Sequence, residues 1–148
     1  EFPGQDAAYQ AGCPTEGRFV DHGDGTVTDT CTGLMWQKDT ADLSGNETIG
    51  DEDDVAWQAA LKYCDDLDLA SHDDWRLPNV RELESILDYG RVAPAADSAF
   101  GTLPTVYWSS STFVWDRENA WYVQFNGGYV YIAAKDSNGY VRAVRSGP

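Results

Sequence analysis

Basic side chains, histidine and long apolar runs are all scarce in this chain. Ten Lys and Arg stand against 25 Asp and Glu, a formal net charge of −15. So acidic a molecule is repelled by nucleic acid phosphates, anionic membranes and sulfated glycans. Its partners are expected to be neutral, cationic or metal-bridged. No run is long and apolar enough to span a membrane as a helix, so membrane insertion is not expected. No signal peptide is visible, and Glu1-Phe2 reads as a cloning scar on a mature domain that is secreted or displayed on a cell surface. Histidine is limited to His22 and His72, beside hydrophilic turns, with no nucleophile at a recognisable spacing. Zinc lacks a Cys/His cluster at ligand spacing. These shortages argue against an enzyme.

Cysteine is few and odd in number: Cys13, Cys31 and Cys64. At least one is unpaired within the chain. Cys13 and Cys31 flank a segment with a hairpin signature and would pair in an oxidising compartment. Three reduced, mostly buried thiols are the alternative. The sequon Asn46-Glu47-Thr48 matters only in a host that glycosylates.

What the chain does have is concentrated at its end. From Tyr107 onward lie ten of the nineteen aromatic residues, interleaved with Ser, Asn, Asp, Gly and Gln. That is the composition of a binding face, with rigid aromatic area and adaptable polar contacts. Residues 107–148 hold 3 acids and 4 bases, and residues 1–106 hold 22 acids and 6 bases. The acidity belongs to the scaffold, and the aromatic tail is close to neutral.

A length of 148 residues suits one domain, 1–148, with a real core. Asp24-Gly25 between Arg18-Phe19-Val20 and Thr26-Val27-Thr28 predicts a hairpin, and Leu34-Met35-Trp36 a further strand after a turn at Gly33. Residues 39–54, with seven acids and no base, read as a loop. A helix capped by Asp53 or Asp54 follows, with Trp57, Ala60, Leu61, Cys64 and Leu67 on one face. A second helix begins at Asn79, with Glu82 completing a capping-box pattern, and stops at Gly90. Residues 91–104 read as a surface connection. Strands are predicted over Tyr107 to Ser110, Asn119 to Phe125, Tyr129 to Ala134 and Tyr140 to Arg145. The class is α+β: strands, two helices, then an antiparallel meander.

The segments GQDAAYQAG, RFVDHGDGTVTDTCTGLMWQ, AWQAALKYCDDL, DWRLPNVRELESIL, YWSSS, AWYVQF and YVRAVR stand in an order that resembles the Lcl C-terminal domain family. WRLPNVREL is also similar to the WRLPT-type motif of formylglycine-generating enzymes. Both resemblances imply a C-type lectin-like fold: two helices packed on a twisted antiparallel sheet, with ligands on the C-terminal half. That fold commonly joins a helix Cys to a Cys of the last strand. Here Cys64 holds the helix position and Ala143 stands where relatives often have Cys. The resemblance therefore implies a Cys13–Cys31 disulfide and a buried, unpaired Cys64. Formylglycine-generating enzymes act through cysteines in their C-terminal half, which this chain lacks, so that activity does not carry over and only a degenerate relative would remain. The family's namesake adhesin binds sulfated glycosaminoglycans through a basic surface that a chain of this charge does not reproduce. The variable proteins of diversity-generating retroelements share the fold, and residues 115–138 resemble their diversified segment. No heptads or collagen repeats are present, so the sequence assigns no oligomeric state.

The candidate ligand-binding set is Trp115, Asp116, Glu118, Asn119, Tyr122, Tyr129, Tyr131, Asp136 and Asn138. The plainer reading makes the aromatics core and the polar residues turn formers. Trp108, Trp121 and Phe125 are expected in the core on alternation. The expected ligand is a protein or a glycan on a cell surface. No cofactor is expected, with calcium as the exception: Asp51, Asp53 and Asp54 head an acidic loop rich in oxygen donors. EF-hand spacing and the calcium-lectin tripeptides are absent there, and a solvated charge run is the plainer reading. In Asp73-Asp74-Trp75-Arg76-Leu77-Pro78, Trp75 and Leu77 are expected in the core, with Arg76 paired to Glu82.

Overall fold

The computed structural model describes residues 12–14 and 16–147. Most of the first resembling segment, GQDAAYQAG, lies outside them. The N-terminal hairpin forms as expected: β1 (Phe19–Asp21) pairs antiparallel with β2 (Thr26–Asp29) across Asp24-Gly25. Gly25 has φ +90, a conformation open to glycine at little cost. β3 (Leu34–Gln37) pairs with β2.

The first helix, α1 (Trp57–Asp66), starts later than expected. Its N-cap is Ala56, without a side-chain cap. Asp53 does not cap it, because its carboxylate is engaged inside the preceding loop. Ala60 and Cys64 are fully buried, so the predicted apolar face holds. The second helix, α2 (Val80–Ser85), opens with the predicted capping box: Asn79 Oδ1 accepts from Glu82 N–H at 2.9 Å, and the Glu82 carboxylate accepts from Asn79 N–H at 2.8 Å. Such a cap contributes roughly 1 kcal/mol. Arg76 forks onto the same Glu82 with two bonds of 2.7 Å. The helix ends at Ile86, not at Gly90, because Leu87 and Asp88 turn away to meet Ala96 and Ala95.

Residues 91–104 are more than a surface connection. Ala95, Ala96 and Phe100 are buried, and Ala95 N–H donates to Phe125 O. Four alanines read as surface composition, but small side chains also let a segment pass close under a sheet.

β5 (Val106–Thr112), β6 (Asn119–Gln124) and β7 (Tyr129–Ala134) form an antiparallel sheet in that order. The predicted fourth strand does not extend it. Residues 138–146 break into parts: β8 (Asn138–Gly139) pairs with a short β4 (Val55–Ala56), Tyr140 bridges Tyr107 in parallel, and β9 (Val144–Ser146) returns to β3. The chain end thus completes the N-terminal sheet, in the order β1-β2-β3-β9. The class α+β stands.

The β5-β6-β7 sheet separates two apolar clusters. One holds Leu83, Ile86, Tyr107, Val123 and Phe125 with Val27 and Trp36. The other holds Ala60, Cys64, Trp75, Leu77, Trp108 and Ala120 with Val141 and Ala143. Trp108 and Phe125 are core as expected, but Trp121 is only half-buried, packed edge-on against Phe113 at the side of a groove it shares with α2.

Cys13 and Cys31 form a disulfide with Cα atoms 5.7 Å apart, and Cys64 is free and buried. Beside the bridge, wholly buried Asp29 accepts from Arg18 Nε at 2.9 Å and Nη2 at 2.7 Å, from Cys31 N–H and from Thr32 Oγ1. Burial alone would raise its pKa, but the bonds from Arg18, Thr32 and Cys31 outweigh it and hold the carboxyl below 3.8. A depressed carboxylate stabilises the fold fully above its unfolded pKa of about 3.9, and that stability is lost as pH falls through the folded value. Urea midpoints are therefore expected to drop steeply below about pH 4. Asn at this position, Asp29→Asn, should lower stability at neutral pH and flatten that slope. An unchanged slope in the variant would remove Asp29 as the acid-sensitive group.

Candidate ligand-binding face

The β6–β7 register sets Tyr122 opposite Tyr131 and Gln124 opposite Tyr129. Side chains at alternate positions share a face, so Tyr122, Tyr129 and Tyr131 stand together. Their rings form a row, with centroids 6.1 Å apart from Tyr122 to Tyr131 and 6.1 Å from Tyr131 to Tyr129. Tyr129 and Tyr131 are about half exposed, at 54% and 51%. Tyr122 is sunk further and meets the edge of Trp108 at 6.3 Å.

At the Tyr122 end of the row lies a cavity of about 120 Å³ lined by Val106, Trp108, Tyr122, Ala133, Asn138 and Gly139. The Trp108 indole N–H is spent on Val55 O at 2.8 Å. Gly139 packs closely there: a Cβ would stand 3.0 Å from Trp108 Nε1, tighter than an ordinary contact. Farther along, Lys135 Nζ lies 4.1 Å over the Trp57 ring and donates to Thr112 Oγ1 at 3.0 Å.

Of the other predicted residues, Asn138 joins this face as part of the cavity lining. Trp115, Asp116 and Glu118 lie on the β5–β6 connection and Asn119 opens β6, at the far end of the sheet. Lys135 N–H reaches Glu118 O at 2.8 Å, which brings Asp136 to that end too. Trp115 is 86% exposed. Asp116 is a turn former: its carboxylate accepts from Glu118 N–H and Asn119 Nδ2. The candidate set is therefore two patches, a tyrosine face with Asn138 and a loop tip carrying Trp115.

Sequence reasoning missed Tyr89 and Val92, exposed at 70% and 77%. Asp88 to Ala95 is held against the β6–β7 turn by Ala93 N–H to Asn126 O and Ala95 N–H to Phe125 O. The Tyr89 ring rests on Gly128, and the Tyr129 ring rests on Gly127, where an added Cβ would stand 2.5 Å from Tyr129 Cε2. The signal was present in Gly127-Gly128: φ +75 explains the second glycine, but only the overlying tyrosine explains the first.

The acidic loop, for which calcium is the expected exception, organises its own backbone. Asp53 is wholly buried, and its two oxygens accept from the backbone N–H groups of Leu43, Ser44 and Gly50. Burial opposes its ionisation, yet those backbone bonds keep its pKa lowered. Asp42 accepts from the N–H groups of Gly45 and Glu47 in the same way. Asp51 faces solvent, and Asp54 has a pKa raised by burial and then by Asp51. Among the described residues, no three Asp, Glu, His or Cys side chains gather to hold a metal ion.

Cys64 is no candidate nucleophile, since burial pushes its thiol far up. His22 bonds Thr28 Oγ1 at 2.8 Å on the exposed hairpin. No described helix is long and apolar enough to cross a membrane.

In a comparison with known protein families, the model of the Lcl C-terminal domain matches residues 25–145. A search of the curated proteins found nothing that matches the chain.

Proposed function

The chain belongs to the Lcl C-terminal domain family, and from that premise we propose a non-catalytic recognition domain that binds a protein ligand at a cell surface. Its scaffold is of C-type lectin type, a reading supported by the two helices and by the return of β9 to β3. The observation that carries the function is the row Tyr122–Tyr131–Tyr129, exposed at Tyr129 and Tyr131, with a small cavity at its Tyr122 end. Aromatic anchors beside a pocket are the usual centres of binding energy. The row also lies in the one near-neutral part of an acidic molecule. Secretion is supported by the Cys13–Cys31 bridge, which persists in oxidising compartments. Residues 115–138 suit diversification, because Trp115, Tyr129, Tyr131 and Asp136 are exposed and their replacement would leave buried Val123 and Phe125 in place.

The test prints cell-surface ectodomains beside glycans on one array, read with and without a calcium chelator. Binding to a protein spot is expected, insensitive to chelator, and weaker by about tenfold or more, ~1.4 kcal/mol, in Tyr129→Ala/Tyr131→Ala. Both rings are exposed, so melting should barely change. Binding confined to glycan spots would overturn the proposal in favour of an adhesin of the glycan-binding kind.

A further inference from the structure

β7 ends the three-stranded sheet, and among the described residues nothing pairs with its outer edge. Which groups that edge presents follows from parity. Lys135 N–H donates to Glu118 O at 2.8 Å, continuing the register that sets Ala134 opposite Asn119. Alternation then turns the main-chain groups of Tyr129, Tyr131 and Ala133 toward β6 and those of Val130, Ile132 and Ala134 away from it. Ala134 O accepts from Ser137 N–H. The N–H and C=O groups of Val130 and Ile132 and the N–H of Ala134 remain, spaced for a further strand.

Natural sheets guard such edges with lysine, proline, a bulge or shortness. β7 has none of these within Tyr129–Ala134: its six residues are uncharged, without proline, and paired with β6 in continuous register. The outer strand of the N-terminal sheet, β1, is by contrast three residues long and carries Asp21. Both sides of β7 also offer grip. Tyr129 and Tyr131 stand on one. On the other, Ile132 is 40% exposed beside a groove of about 340 Å³ lined by Val80, Arg81, Glu84, Trp121 and Val130.

We propose that β7 binds its ligand by strand addition, taking an extended, acid-free segment of another protein along the outer edge. The proposal rests on the recognition reading above and names the form of its ligand. Charge selects the occupant. The scaffold carries 22 of the 25 acids, so a strand bearing acids, or a second copy of this net −15 chain, is repelled on approach, whereas a neutral or basic strand is not. Main-chain bonds would supply affinity, and the alternating Tyr129/Tyr131 and Val130/Ile132 contacts specificity.

Selection from a displayed library of random twelve-residue peptides tests it. Enriched peptides are expected to be poor in Asp and Glu and to exclude proline at alternate positions. Ile132→Pro deletes one outward N–H without touching the β6 ladder and should weaken their binding by about tenfold or more. Ile132→Thr, which keeps the N–H and loses only the apolar side-chain contact, should weaken it far less than Ile132→Pro. Amide exchange of the unaltered protein gives a second readout: Val130, Ile132 and Ala134 should exchange fast when free and become protected with peptide, while Tyr129 and Tyr131 are protected throughout. Protection of Ile132 in the free protein, or failure to enrich any peptide, overturns strand addition. Loss of binding in Tyr129→Ala/Tyr131→Ala with full binding in Ile132→Pro overturns it too, and leaves the tyrosine face standing.

Discussion

Replacing Arg142 by methionine is expected to lower the melting temperature by roughly 8–16 °C, a loss of about 4 kcal/mol. Arg142 is fully buried. Its two Nη atoms donate to Gln37 O, Lys38 O, Gly101 O at 2.9 Å and Thr102 Oγ1 at 3.0 Å. The guanidinium also lies 5.0 Å from the Phe100 ring and 5.8 Å from that of Tyr107. Burial pulls its pKa down, and no carboxylate bonds it. Replacing a buried ion pair with apolar side chains is often harmless, because both partners leave together. That escape is closed here. Three of the four acceptors are main-chain carbonyls that stay behind: Lys38 O keeps Gly101 N–H and Gly101 O keeps Thr40, but Gln37 O is left without a donor among the described residues, and each of the four lost bonds costs about 1 kcal/mol.

The comparison with Arg142→Lys separates charge from shape. Lysine keeps the positive charge but has one nitrogen, which cannot serve acceptors on both the β3 end and the 101–102 segment. It should recover no more than about half the loss. Calorimetry on the two variants decides the matter: equal stability of Arg142→Lys and the parent would mean that charge alone suffices, and an unshifted Arg142→Met would mean that the carbonyls find other donors.

This arginine also marks where the sequence stops being informative. Its partners on Gln37 and Lys38 lie over a hundred residues away, and no local pattern in YVRAVR separates a clamp from a surface base. The features that were legible are those fixed by neighbours: the Asp24-Gly25 hairpin, the Asn79/Glu82 box, the Ala60/Cys64 face and the strand alternation of 129–134. The Arg76–Glu82 pair belongs with them, six residues apart. The features that were missed depend on distant contacts. β9 looked like a fourth meander strand because Val141, Val144 and Arg145 suit any strand, and its pairing with β3 is settled by what lies opposite. Composition showed that the 39–54 loop is acidic but not where its carboxylates point. Asp53 and Asp42 point at their own backbone, which removes them as metal donors. The tyrosine face was half legible: period two placed Tyr129 with Tyr131, and the register brought Tyr122 to them, whereas Tyr89 reaches the β6–β7 turn only through the fold of 88–95.

Cysteine at position 143 should close a second bridge to Cys64 and raise the melting temperature by roughly 4–16 °C, for a gain of about 2–4 kcal/mol. Ala143 and Cys64 are both fully buried in the same apolar cluster, one beside the last strand and the other on α1. The Ala143 backbone is already tied down: its N–H donates to Gln37 Oε1 at 3.1 Å and its C=O accepts from Gln37 N–H at 3.0 Å. A side chain replacing a methyl there stays within the apolar cluster that also holds Cys64. The closed loop would be long, and cross-linking a long loop removes the most freedom from the unfolded chain. Burial raises the Cys64 pKa, which slows attack by its thiol in the folded protein. The bridge should therefore form during oxidative refolding and not on later exposure to air. Ala143→Cys refolded with a glutathione couple should show no free thiol, and reduction should return it to the parent's melting temperature or below. Two titratable thiols after refolding would show that the helix and the last strand do not approach within disulfide range, and with that the C-type lectin reading of this scaffold would lose its main structural support.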